Sequence, residues 1–266
     1  MEPVGVIGGS GLYTLLDDAR TVDVDTPYGA PSAAVAVGSM GGREVAFLPR
    51  HGLTHEFAPR RINYRANLWA LRTLGVRQVL APSAVGALDP GLAPGAFVVP
   101  DQLIDRTSGR ERTFYEQPGA VVHVGFADPY CPRGRAAFLA RGNELGLDPV
   151  DGGTLVVIDG PRFSTRAESR WNAAAGGTVV GMTGMPEAIL ARELALCYTP
   201  VALVTDHDAG VESGSGVTQA EVFEVFAARL DDLRKLLAAT VAALDDDPDC
   251  ACRHALDGMT LPVRLP

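Results

Sequence analysis

The chain has 266 residues, 47% of them apolar, and a formal charge of −9 from 32 acidic against 23 basic side chains. Length and apolar content suffice for one large or two small domains with a substantial core. The acidic balance excludes a nucleic-acid binder, which needs a basic footprint, although a few arginines and main-chain amides can still hold a small anion.

The amino terminus MEPVGVIGG lacks a basic n-region and leads directly into an apolar stretch, so a secretory signal is not expected. No apolar run reaches the ~18 residues of a membrane helix. The four cysteines, Cys131, Cys197, Cys250 and Cys252, are scattered apart from the last pair. With His254 that pair falls short of the four ligands a zinc site requires, so a reduced, cytoplasmic protein without a metal is expected.

Taken in order, Val4–Ile7 reads as a buried strand, followed by the glycine-rich GVIGGSGLY over residues 5–13. Residues 33–37 and 44–48 form a hairpin pattern around SMGG. Apolar Ile62, Leu68, Trp69, Leu71 and Leu74 cover one face of a helix over 62–74, which Gly75 is placed to end. A strand starts at Gln78 and delivers Ser83-Ala-Val-Gly-Ala to its carboxyl end, and another covers 97–100. A helix over 133–145 is closed by Gly146, and strands follow at 154–158 and 178–181. A further helix begins near Pro186-Glu187, where proline suits the first turn. The strand 201–205 ends at Asp206, and Thr218 with Glu221 forms a capping box for a helix reaching about Leu244.

This alternation predicts one α/β domain over residues 1–266, with a central mixed β-sheet flanked by helices. Ligands of such sheets bind beyond the carboxyl ends of strands. Six polar clusters fall there: 8–11, 49–55, 83–86, 160–164, 182–187 and 206–208.

Taken singly, the clusters are ambiguous. GGSG matches only part of a dinucleotide fingerprint and lacks the lysine of a phosphate-binding Walker loop, so it fits a tight turn as well as an anion site. Arg50 offers a planar fork for two phosphate oxygens, and His51 beside it a second donor. Asp206-His207-Asp208 places carboxylates just past a buried strand, where one could share a proton with a heterocyclic nitrogen or simply cap a turn.

Together the blocks GVIGGSGLY, LPRHGLTHEFAPRRINYRANLWAL, SAVGALDPGLAPGAFVVPDQLIDRT, GTLVVIDGPRFSTRAES, GMTGMPEAILARELALCY and ALVTDHDAG resemble, in order and spacing, the trimeric purine nucleoside phosphorylases. Within them the likeness is greatest to the methylthioadenosine-cleaving branch, over about residues 4–210 and more loosely through the last helix. The resemblance implies the nucleoside phosphorylase fold, no cofactor, and inorganic phosphate as co-substrate. It places phosphate against Ser10, Arg50, His51, the Ser83–Ala84 peptide and Thr183. It sets Met182 against the ribose, with its backbone toward the sugar hydroxyls, and His55 near sugar and phosphate. Phe163 faces the purine with Ser164 close by, Asp206 and Asp208 read the base, and Asp206 is the general acid. His123 reaches a neighbouring subunit's site over the 5′ substituent, which implies a homotrimer.

Relatives that prefer 6-oxopurines carry asparagine where this chain has Asp206, so release of adenine from S-methyl-5′-thioadenosine or a related 5′-substituted adenosine is the expected reaction. Inosine, guanosine or methylthioinosine is the alternative substrate class. Gln219 stands where the family often has valine in the 5′ pocket, beside apolar Val222 and Phe223, which leaves the 5′ group open. A nucleotide-dependent oxidoreductase would leave Arg50-His51 without a role. A nucleosidase would not need Ser10, Arg50, His51 and Thr183 together, and a non-catalytic binder would not need every position to be chemically competent.

Overall fold

The computed structural model describes residues 1–9, 12, 16–119, 121–209, 211 and 216–266. Among these, eleven strands share one sheet: β1 Val4–Gly8, β2 Asp17–Val22, β3 Val35–Met40, β4 Arg43–Pro49, β5 Gln78–Ala87, β6 Phe97–Val99, β7 Gln102–Asp105, β8 Val150–Asp151, β9 Thr154–Val157, β10 Val179–Gly181 and β11 Cys197–His207. The helices are α1 Tyr64–Thr73, α2 Pro132–Glu144, α3 Arg166–Ala174, α4 Gly184–Glu193 and α5 Gln219–Ala243. No helix among the described residues is long and apolar enough to cross a membrane.

The mixed α/β architecture is the expected one. One path through the sheet runs β2-β3-β4-β1-β5-β10-β9-β7, and β11 branches from β5 to carry β6 and then β8. Leu68, Leu71, Leu190 and Leu194 of α1 and α4 cover one face of the sheet. Phe138 of α2 with Leu233, Leu236, Leu237 and Val241 of α5 covers the other. β5 and β11 are sealed between these layers, which is why both read as nearly unbroken apolar runs.

The branch at β5 creates the site. β1 pairs in parallel with β5 only from Gln78 to Leu80, and β10 takes that edge, antiparallel, at Gly86 and Ala87. Residues 81–85 therefore have no sheet partner on that side, while β11 pairs along the other edge as far as Ala87. In β11 the register shifts between Val204 and Asp206. Such a bulge bends the strand and re-aims the following side chain, here Asp206.

Several elements extend beyond their sequence limits. β11 starts at Cys197, because a strand buried on both faces tolerates Tyr198, Thr199 and Pro200. β5 runs on through Ser83 to Ala87, the stretch the sequence places at the strand's carboxyl end. α3 was not expected, yet Thr165 and Glu168 form a complete capping box at its start. β2, almost wholly exposed, carries no apolar alternation to announce it.

Candidate active site

A cavity of about 510 Å³ opens where β5, β10 and β11 end, within the size range of small-molecule pockets. Arg50, His51, His55, Ser83, Ala84, Phe163, Ser164, Met182, Thr183, Asp206, Asp208, Gln219, Val222 and Phe223 all line it. The structure thus gathers fourteen expected residues from six separated segments of chain. Ser10 lies outside the described residues, and its neighbour Gly9 lines the cavity. His123 is exposed and does not line this cavity.

One wall is polar. Arg50, at the end of β4, is buried with 2% exposure and pairs with Glu187 of α4, whose exposure is 1%. Its Nε donates to Glu187 Oε2 at 2.8 Å and its Nη2 to Oε1 at 2.9 Å. Nη2 also donates to the Ile7 carbonyl and Nη1 to that of Pro82. The fork expected to grip phosphate is therefore occupied by a carboxylate. Of the five guanidinium hydrogens, one on Nη1 is left over for an anion. Tyr198 donates to the same Glu187 Oε1 at 2.8 Å. Glu187 belongs to the polar cluster 182–187, but nothing local in the sequence signals its partner 137 positions away.

His51 Nδ1 lies 2.8 Å from the Phe57 carbonyl. A carbonyl only accepts, so Nδ1 carries the proton and Nε2 of the neutral ring is an acceptor. Burial pushes the imidazole down to about 4, against the opposing effect of that hydrogen bond. At neutral pH His51 thus offers a base where the sequence suggested a second donor. Its ring stacks on His55 with centroids 4.4 Å apart. Thr183 is the N-cap of α4, but its hydroxyl makes no capping bond.

The opposite end carries two carboxylates. Asp206 is pushed up to about 6, chiefly by burial and further by Asp208, although the Thr205 hydroxyl donates to its Oδ2 at 2.8 Å. Gly86 makes room for it, since a Cβ there would stand 2.9 Å from Asp206 Oδ1. Asp208 is 3% exposed, and its Oδ2 and Ser164 Oγ are buried without a hydrogen-bond partner. Unsatisfied polar atoms are rare in folded proteins, and two on one cavity wall mark where a polar ligand edge would sit. Phe163, Val222, Phe223 and Phe226 supply apolar surface, with Gln219 exposed at the rim.

Arg110 escaped the sequence reading. Its buried guanidinium donates to the carbonyls of Met182, Met185, Ile158 and Asp159 and to Tyr64 Oη. It clasps the two loops that present Phe163 and Met182, and the Met182 carbonyl expected to face a sugar already accepts from it.

A family model described as the phosphorylase superfamily matches residues 3–242. The chain is 59% identical to a purine nucleoside phosphorylase of Streptomyces coelicolor, covering 99% of this chain and 97% of that protein. It is 57% identical to an S-methyl-5′-thioadenosine phosphorylase of Mycolicibacterium smegmatis, covering 99% of each. Among solved structures, methylthioadenosine phosphorylase from Schistosoma mansoni in complex with adenine superposes with a TM-score of 0.91 at 37% identity, over 96% of this chain and 97% of that one.

Proposed function

The chain belongs to the phosphorylase superfamily, and from that premise we propose that it cleaves S-methyl-5′-thioadenosine, or a closely related 5′-substituted adenosine, with inorganic phosphate. The products are adenine and 5-methylthioribose 1-phosphate, so the chain is a pentosyltransferase of purine and methionine salvage. The observation that carries this reading is the pairing of Asp206, pushed up to about 6, with the unpartnered Asp208 Oδ2 in one apolar cavity. A carboxyl that holds its proton up to about pH 6 can donate to N7 of a purine, and a carboxylate oxygen without a donor receives an exocyclic amine. A 6-oxo group would present a second acceptor to Asp208, and a buried unpaired acceptor costs about 1–3 kcal/mol.

The chemistry follows from the two ends of the cavity. Phosphate lies against Arg50, His51, Ser83, Ala84 and Thr183, with Ser10 from the glycine loop. Because Glu187 already balances the Arg50 charge, the pocket holds the anion in place without quenching it as a nucleophile. The C1′–N9 bond breaks through an oxocarbenium-like state that the nearby phosphate stabilises, as in other glycoside chemistry. As it breaks, Asp206 protonates N7, and a phosphate oxygen closes on C1′. The proton of HPO₄²⁻ hydrogen-bonds to the His51 Nε2 acceptor and leaves to solvent once the sugar phosphate has formed, which balances the one delivered to adenine. No cofactor takes part.

Val222, Phe223 and Phe226 form an apolar seat for the 5′ group, and Gln219 at its rim leaves room for substituents beyond methylthio. Phe223 is 49% exposed beside the cavity. A neighbouring subunit's His123 loop closing over this edge fits a homotrimer, and salvage substrates place the enzyme in the cytoplasm. The test is product identity by mass spectrometry after incubation with methylthioadenosine and phosphate. Methylthioribose 1-phosphate is the expected sugar, and free methylthioribose would make the protein a nucleosidase.

A further inference from the structure

The four cysteines, spread over the sequence at positions 131, 197, 250 and 252, meet in space. All are buried, and their Sγ atoms all lie within 4.8 Å of one another. Cys131 is the N-cap of α2, and its main-chain N–H donates to the Tyr198 carbonyl at 2.9 Å, which brings it beside Cys197 at the start of β11. Cys250 and Cys252 come from the short 3-10 turn at Ala251–His254 that follows α5. His254 is turned outward and pairs with Asp257, so the cluster is made of sulfur alone.

We propose that these cysteines form a structural zinc site, a Cys₄ tetrahedron that pins the chain beyond α5 to β11 and α2. Zinc–thiolate bonds of about 2.3 Å set the edges of such a tetrahedron near 3.8 Å. Cys131 Sγ lies 3.8 Å and Cys197 Sγ 3.5 Å from Cys250 Sγ. Four soft donors closed off from solvent, with no open position, suit Zn²⁺ in a structural role. The surroundings suit the charge: four Cys–SH and Zn²⁺ give Zn(S–Cys)₄²⁻ and four protons. The Gly134 N–H points at Cys131 Sγ from 3.5 Å in the first turn of α2.

The site is remote from catalysis. Nine residue steps along β11 separate Cys197 from Asp206, about 30 Å of extended chain. Zinc would therefore act on stability and leave the cavity unchanged. Its natural beneficiary is the carboxyl-terminal segment, which returns Leu261, Val263 and Leu265 to the core on the α1 face.

The experiment uses the full chain, reduced and desalted, then offered Zn²⁺ or Co²⁺. About one metal ion per chain is expected, with the visible bands of tetrahedral cobalt and strong thiolate-to-cobalt charge transfer. Zinc should raise the unfolding midpoint of the wild type and leave that of Cys250→Ser/Cys252→Ser unmoved, with kcat alike in both. Should the double variant fail to fold, the cobalt spectrum of the wild type decides alone. Substoichiometric metal, a cobalt spectrum without thiolate charge transfer, or a purified protein whose mass shows disulfides that metal and reductant do not replace would overturn the proposal.

Discussion

Arg50 and Glu187 face each other through two hydrogen bonds of 2.8 and 2.9 Å, both side chains almost wholly removed from water. The carboxylate fixes the guanidinium plane and leaves one Nη1 hydrogen for an anion in the cavity. Removing one member of a buried pair strands the other, so Glu187→Ala should lose about 3–5 kcal/mol of stability, read as a lower urea midpoint. Arg50→Lys keeps the charge but loses the two-point geometry. The KM for phosphate should rise about 10–100-fold, the equivalent of one charged hydrogen bond, with a smaller change in the KM for nucleoside.

Asp206 titrates near 6 because burial favours its neutral form. At saturating phosphate, kcat/KM for the nucleoside should fall as pH rises through that value, as the acid loses its proton. Asp206→Asn can donate a hydrogen bond but not a proton. It should lower kcat by ~10²–10⁴-fold and abolish that alkaline limb. An unchanged pH profile would remove Asp206 from the role.

The same two titrations act on stability with opposite signs. His51 is held at about 4 against 6.5 when unfolded, so its contribution is present above pH 6.5 and is lost as pH falls toward 4. Asp206 is held at about 6 against 3.8, so its contribution is complete below pH 3.8 and is lost as pH rises through 6. Each is on the order of 3 kcal/mol, and between pH 4 and 6 they nearly cancel. Asp206→Asn should therefore expose a loss of stability on acidification across that window, and His51→Gln a gain, in denaturant midpoints measured pH by pH.

Gly86→Ala would place a methyl 2.9 Å from Asp206 Oδ1 and 3.4 Å from both Asp208 Cβ and Val180 Cγ1. The acid has to move while the core around it stays filled. A fall in kcat of about 10–100-fold is expected, since misplacing a reacting group by about 1 Å has effects of that size, with little change in thermal midpoint.

Arg110→Lys should loosen the clasp between the loops at 158–164 and 182–185. The KM for nucleoside should rise more than the KM for phosphate, because the clasped loops carry Phe163 and Met182. Equal increases would point to general destabilisation, which a melting curve would show.

Much of this site was legible from residue types at strand ends. The six clusters do converge, because a mixed sheet delivers its loops to one rim. Partnerships were not legible. Arg50 looked like a free phosphate fork because Glu187 is distant in sequence, and His51 looked like a donor because its tautomer depends on the Phe57 carbonyl. Arg110 sits in a stretch without regular structure and bonds mostly to main-chain carbonyls, which leave no trace in side-chain patterns. The cysteines looked scattered for the same reason: a helix cap, a strand start and a turn meet only after the sheet is assembled. The bulge in β11 that aims Asp206 is set by pairing with β5, and no residue in VALVTDHD announces it.

The central claim is phosphate-dependent release of adenine, directed by Asp206 and Asp208. The most direct measurement compares initial rates of base release from methylthioadenosine and from inosine, each with and without phosphate. Rapid adenine release that stops when phosphate is withheld is expected, with inosine far slower. Comparable turnover of inosine, or undiminished cleavage of methylthioadenosine without phosphate, would contradict it.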